Sequence, residues 1–81
     1  MIDQTTRQTA VDLCQLMALN PAWHGNFGVA CDELDVPLCG IAADLARSCL
    51  WAVPDAQMGA SDEEWWGEAA ARLATGWEPT A

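Results

Sequence analysis

Residues 61–76 read Ser61-Asp62-Glu63-Glu64-Trp65-Trp66-Gly67-Glu68-Ala69-Ala70-Ala71-Arg72-Leu73-Ala74-Thr75-Gly76, and this stretch decides the fold class. Ser61 and Glu64 stand in the S-x-x-E spacing of a capping box, where hydroxyl and carboxylate satisfy the first free N–H groups of a helix. Gly76 falls just past the helix end, where left-handed backbone is wanted, and Pro79 blocks any continuation. Between these signals Trp66, Ala69, Ala70, Leu73 and Trp77 recur at helical spacing and define a buried face. Glu68 and Arg72 form an i,i+4 pair on the solvent side. The spacing predicts a helix that runs to about Thr75.

The same signals recur towards the N-terminus. A helix is predicted from Gln4 to Leu19, capped by Asp3 or Thr5 and stopped by Asn20-Pro21. Ala10, Leu13, Cys14, Leu16 and Met17 fall on one side of it, and Gln4, Arg7, Gln8, Asp12 and Gln15 on the other. Residues 20–28 are rich in turn formers, with Trp23 and Phe27 expected to plug the core from below. A short helix fits Val29–Leu34 and ends before the pre-proline Val36. A third long helix is predicted from Pro37 to about Ala52, with Asp35 as its cap. Leu38, Ile41, Ala42, Leu45, Ala46, Cys49 and Leu50 make it apolar nearly all round, which marks it as the central helix. A loop is expected at 54–60. No segment alternates with period two for long enough to make a strand. The expected architecture is all-α, a small bundle of three main helices plus one short helix, in a single acidic domain spanning residues 1–81.

Composition bounds the function. The chain has 81 residues, 12 acids against 3 lysines and arginines combined, and a net charge of −9. An apolar fraction of 52% is too high for a disordered acidic tail. With so few cations, direct binding to a phosphate backbone or to an anionic membrane is disfavoured. No apolar run approaches the roughly 20 residues of a membrane span, and the N-terminus lacks the basic and apolar regions of a secretory signal. The chain therefore reads as a complete small cytoplasmic frame.

Part of the acidity has a local explanation. Asp62, Glu63 and Glu64 lie in a first helical turn, where carboxylates complement the helix dipole. The imbalance as a whole has none, because an ordinary surface mixes both signs. Asp32, Glu33 and Asp35 form a second run, and Asp44 and Glu68 add to the acidic surface. Trp51 projects beside Asp44, Arg47 and Ser48, and Trp65 lies at the margin near Glu68 and Arg72. Exposed tryptophan flanked by charge is enriched at interface hot spots. The candidate partner-binding residues are therefore Asp32, Glu33, Asp35, Asp44, Trp51, Asp62, Glu63, Glu64, Trp65 and Glu68. A homodimer through Trp51 or Trp65 is left open.

Glu33-Leu34-Asp35-Val36-Pro37, followed by Ile41 and Leu45, resembles the core of a helix-turn-helix, with Leu34 and Val36 wedging the turn and Ile41 packed beneath. Asp35 stands where that motif prefers glycine, and the would-be recognition helix carries Arg47 as its one cation, so such a scaffold would bind protein rather than DNA. Cys14, Cys31, Cys39 and Cys49 contain no C-x-x-C, and small buried thiols are expected. His24 with Cys31, Cys39 and Cys49 fits no standard zinc spacing, so no metal or cofactor is expected. No catalytic constellation is visible, and the expectation is a protein that is not an enzyme.

In composition across its whole length the chain resembles small phage and mobile-element proteins that disable host defences, acidic anti-CRISPR proteins among them. This resemblance involves no shared motif and assigns no residue a role. It implies an inhibitor that docks on a basic, nucleic-acid-binding surface of a host protein, as a steric plug or a DNA mimic. An adaptor or antitoxin-like subunit is the alternative, with a cysteine-based metal or redox module behind it.

Overall fold

The computed structural model of the chain describes residues 2–23, 25–53 and 61–79; the expected loop at 54–60 and the His24 side chain lie outside them. Four helices follow in order: α1 (Gln4–Leu19), α2 (Phe27–Glu33), α3 (Ile41–Trp51) and α4 (Asp62–Ala74), with a 3-10 turn at Pro21–Trp23. The fold is helical as expected, three main helices and one short one, with no strand among the described residues.

Local chemistry fixes most of the helix ends. The carboxylate of Asp3 accepts the Thr6 N–H at 2.7 Å and the Thr6 hydroxyl at 3.1 Å, which starts α1. These bonds, the backbone N–H first, hold the Asp3 carboxyl below the usual carboxylate range. At the other end the Asn20 side chain donates to the Leu16 carbonyl at 2.7 Å. Ser61 Oγ accepts the Glu64 N–H at 3.2 Å and starts α4. Gly76, at φ +106°, ends it. There Trp77 N–H reaches back to the Arg72 carbonyl at 3.0 Å and Gly76 N–H to the Leu73 carbonyl at 3.2 Å, the paired bonds of a Schellman motif.

The middle of the chain departs from expectation. α2 begins at Phe27, two residues early, so Phe27 is helical rather than part of the loop. α3 begins at Ile41 with Gly40 as its cap, and Pro37 lies in a turn closed by Gly40 N–H to the Pro37 carbonyl at 3.0 Å. Asp35 does not cap α3. It sits at φ 54°, past the end of α2, where Asp35 N–H bonds the Asp32 carbonyl and Val36 N–H bonds the Cys31 carbonyl. That is a second Schellman ending with aspartate in the glycine position, a conformation that costs an L-residue about 1–2 kcal/mol. The late start of α3 leaves Ile41 77% and Leu38 50% exposed, although both were expected in the core. Residues 34–40 are also longer than the three- or four-residue turn of a helix-turn-helix, and exposed Ile41 cannot pack beneath it.

The central helix is α1 rather than α3, for α1 packs against every other element. Ala10, Leu13 and Cys14 of α1 are fully buried, as are Ala43, Ala46 and Cys49 of α3 and Ala69 and Leu73 of α4. The alanines let the helix axes approach closely. Phe27 of α2 stacks on Trp66 of α4 with ring centroids 5.4 Å apart, and the Arg47 guanidinium lies over the Phe27 ring, 5.5 Å from its centroid. Trp23, expected in the core, is half-buried against it.

Arg7 was expected on the solvent side of α1, yet its side chain is only 15% exposed. Its guanidinium donates to the Leu73 carbonyl at 2.9 Å and to the Trp77 carbonyl at 2.7 Å, and lies 3.7 Å from the Glu78 carboxylate. A cation at a helix C-terminus meets carbonyls with spare acceptor capacity and the negative end of the dipole. Glu78 in turn accepts the Ile2 N–H at 3.3 Å, so both ends of the described chain converge on this point. Replacing Arg7 by Ala removes two charge-assisted hydrogen bonds and should cost about 2–4 kcal/mol in urea unfolding. Arg7→Lys should recover less than half, since an ammonium lacks the planar fork that spans two carbonyls. A loss below 0.5 kcal/mol, on the scale of an exposed pair, would contradict this role.

Candidate protein-docking surface

The end of α3 and the beginning of α4 bring Trp51 and Trp65 together. Trp51, the last residue of α3, is 65% exposed. Its ring meets that of half-buried Trp65 edge to face, with centroids 5.5 Å apart and planes at 84°. The Trp65 indole N–H donates to the Leu50 carbonyl at 2.7 Å, so the ring also caps the last turn of α3. The two tryptophans singled out from sequence therefore form one fixed corner. Asp62, Glu63 and Glu64 precede it on the exposed first turn of α4, and Glu68 follows one turn on.

The other candidate acids fall into two groups. Asp44 and Glu68 are exposed but paired, Asp44 with Arg47 and Glu68 with Arg72 at 3.2 Å. Asp32 and Glu33 lie exposed in the last turn of α2, with exposed Asp35 just beyond. Their placement opposes the dipole of α2, whereas Asp62, Glu63 and Glu64 complement that of α4. The run at 32–35 is thus a cost to local stability, and helix-end chemistry does not account for it.

All three arginines are engaged within the chain: Arg7 with α4 and Glu78, Arg47 with Asp44 and Phe27, Arg72 with Glu68. Their charge is matched locally, and the remaining net charge of −9 belongs to carboxylates.

Two shallow apolar grooves went unread in the sequence. One, of about 260 Å³, is lined by Asp12, Gln15, Leu16, Leu19 and Leu34. The other, of about 190 Å³, lies between α3 and the chain ends, at Ile2, Ile41, Leu45 and Pro79. Leu19 is 78% exposed, and projection at 100° per residue does place it beside Asp12 and Gln15. No comparable signal marked Ile41, because its exposure follows from where α3 starts.

Three cysteines behave as expected and one does not. Cys14, Cys31 and Cys49 are buried, and burial pushes all three thiols up, Cys14 most strongly. The Cys49 Sγ lies 3.5 Å from the Ala69 carbonyl. Cys39 is exposed, since it belongs to the turn before α3 and does not share a helix face with Cys49. Among the described residues no group of three or more His, Cys, Asp or Glu side chains is arranged to hold a metal ion. No described helix is long and apolar enough to cross a membrane.

Compared with protein-family models, curated proteins and solved structures, the chain matches none.

A disulfide reagent at mildly alkaline pH should titrate one thiol rapidly in the folded protein and all four cysteines in denaturant. Cys39→Ser should abolish the fast reaction. Rapid modification of two or more thiols in the native state would contradict the burial of the other three.

Proposed function

We propose that this chain is a non-enzymatic acidic inhibitor that docks on a basic, nucleic-acid-binding surface of a host protein and blocks it, in the manner of the anti-CRISPR proteins its composition resembles. The observation that carries the reading is the fate of the positive charge. Every arginine is bound to an acid or a carbonyl of its own chain, so a basic partner meets carboxylates with few competing cations. The acids at the unfavourable end of α2 support it further, for helix-end chemistry does not account for them. Long-range attraction would speed encounter, and contacts made by Trp51 and Trp65 would set residence time. Mimicry of a duplex by the spacing of the acids is the finer version of the same reading.

A second reading has one specific observation behind it. Ile41, at the start of α3, is 77% exposed, which favours an adaptor or antitoxin-like subunit binding protein through that end of α3, without the turn of a helix-turn-helix.

The immobilised protein, exposed to bacterial lysate, should retain a basic nucleic-acid-binding protein that elutes as salt rises towards physiological strength and above, because exposed charge is screened. Duplex or single-stranded nucleic acid should compete for that partner. Substitution of Asp32, Glu33 and Asp35 together with Asp62, Glu63 and Glu64 by their amides should weaken retention at least tenfold. Capture indifferent to salt and nucleic acid, or unchanged by the six amides, would overturn the proposal, and a captured partner with no nucleic-acid site would favour the adaptor reading.

A further inference from the structure

We infer that the Trp51–Trp65 corner is a receptor for an arginine side chain, which stacks its guanidinium on the exposed Trp51 ring. The inference rests on the docking reading and names the chemical group that the corner takes from a basic partner. Four features converge on a cation at this point. First, Trp51 is 65% exposed at a position where its partner ring is already fixed, so most of the indole is open to a partner side chain. Second, Trp65 stands at 84° to it and is anchored by its indole N–H to the Leu50 carbonyl, which makes a two-walled corner rather than an isolated ring.

Third, Trp51 closes α3, and the last turn of that helix contains no basic residue, so the negative end of its dipole is not complemented by its own sequence. This contrasts with α4, whose C-terminus takes Arg7 and carries Arg72 in its last turn. Fourth, Asp62 and Glu68 lie three residues to either side of Trp65 on α4, a spacing that shares a helix face, and the arginines nearest the corner are already committed, Arg72 to Glu68 at 3.2 Å and Arg47 to Asp44. A cation resting on the aromatic corner therefore meets more acids than arginines along this side of α4, since Asp62, Glu63 and Glu64 add to the paired Glu68. Uncharged apolar side chains would gain nothing from the last two features.

The shape of the corner selects guanidinium over ammonium. A planar, weakly hydrated guanidinium can stack on one indole while its edge N–H groups remain free for carboxylates, whereas an ammonium is a compact and strongly hydrated charge. Tryptophan is also the strongest aromatic partner for either cation. Within this chain, Arg47 already uses the same contact on Phe27, 5.5 Å from the ring centroid. A partner arginine at Trp51 would repeat it on the outside.

The test follows the indole N–H resonances of the ¹⁵N-labelled full chain by NMR while three short blocked peptides are added, one with two arginines, one with two lysines and one with two citrullines. The arginine peptide should shift the Trp51 and Trp65 signals. It should bind more tightly than the lysine peptide, and about two- to fivefold more tightly than the citrulline peptide, the scale of an exposed cation–π contact. Citrulline, which keeps the shape and loses the charge, should shift the signals least of the three. Trp51→Leu should abolish the response with the helical circular dichroism unchanged, and Trp51→Phe should keep part of it. Equal binding of lysine and arginine peptides, or a response that survives Trp51→Leu, would overturn the inference. Salt-sensitive capture of a basic partner without arginine preference would sink this inference and leave the docking proposal standing. Arginine-peptide binding at Trp51 with no nucleic-acid competition for the captured partner would do the reverse.

Discussion

The guanidinium of Arg7 is the constraint on which the rest of the structure depends. α4 ends in a Schellman turn at Gly76, and such an ending satisfies some carbonyls while leaving others pointing outward. Arg7 projects from the central helix α1 and donates to the Leu73 carbonyl, which the Gly76 N–H also reaches, and to the Trp77 carbonyl just past the turn, from a part-buried position. One side chain thereby docks α4 on α1, fixes the Trp77 end of the chain and gathers Glu78 and the Ile2 N–H around the same point. With α4 held at its far end, the start of that helix is held against the end of α3, where Trp65 caps the Leu50 carbonyl and meets Trp51.

This use of arginine sets the electrostatics of the surface. A chain with 3 cations among 15 charged side chains could have left them outside to temper its acids. Instead Arg7 is drawn inside, Arg47 lies over Phe27 beside Asp44, and Arg72 is paired with Glu68. The exterior that results is dominated by one sign and is self-repelling. Acids at 32 and 33 add to the strain by sitting at the negative end of α2. A surface of this kind is costly for an isolated molecule and well suited to one that meets a basic partner, which is the sense in which the fold and the proposed function belong together.

Much of this was legible in the sequence, for reasons tied to particular residues. α1 and α4 carry strong end signals at Asp3, Asn20, Ser61 and Gly76, and their boundaries agree with the reading to within a residue. The exposure of Trp51 and the marginal position of Trp65 followed from helical projection alone. Errors arose where tertiary placement decides. Projection puts Arg7 among polar residues of α1 because it knows nothing of the α4 terminus lying opposite. Pro37 reads as a first-turn residue, but Asp35 turns the chain left-handed and α3 waits until Gly40 provides a cap. That delay moved Leu38, Cys39 and Ile41 outside and gave the central place to α1. The contact between Trp51 and Trp65 was not readable either, since it depends on the approach of two helices rather than on spacing within one.

The most direct measurement of this account is the salt dependence of the unfolding free energy at neutral pH. If cations are consumed internally and the exterior repels itself, raising NaCl from about 0.02 to 0.3 M should stabilise the protein by screening the exposed carboxylates, while the part-buried Arg7 contacts to backbone carbonyls are screened less. A fall in stability over the same range would mean that exposed ion pairs hold the fold together, and would contradict the account.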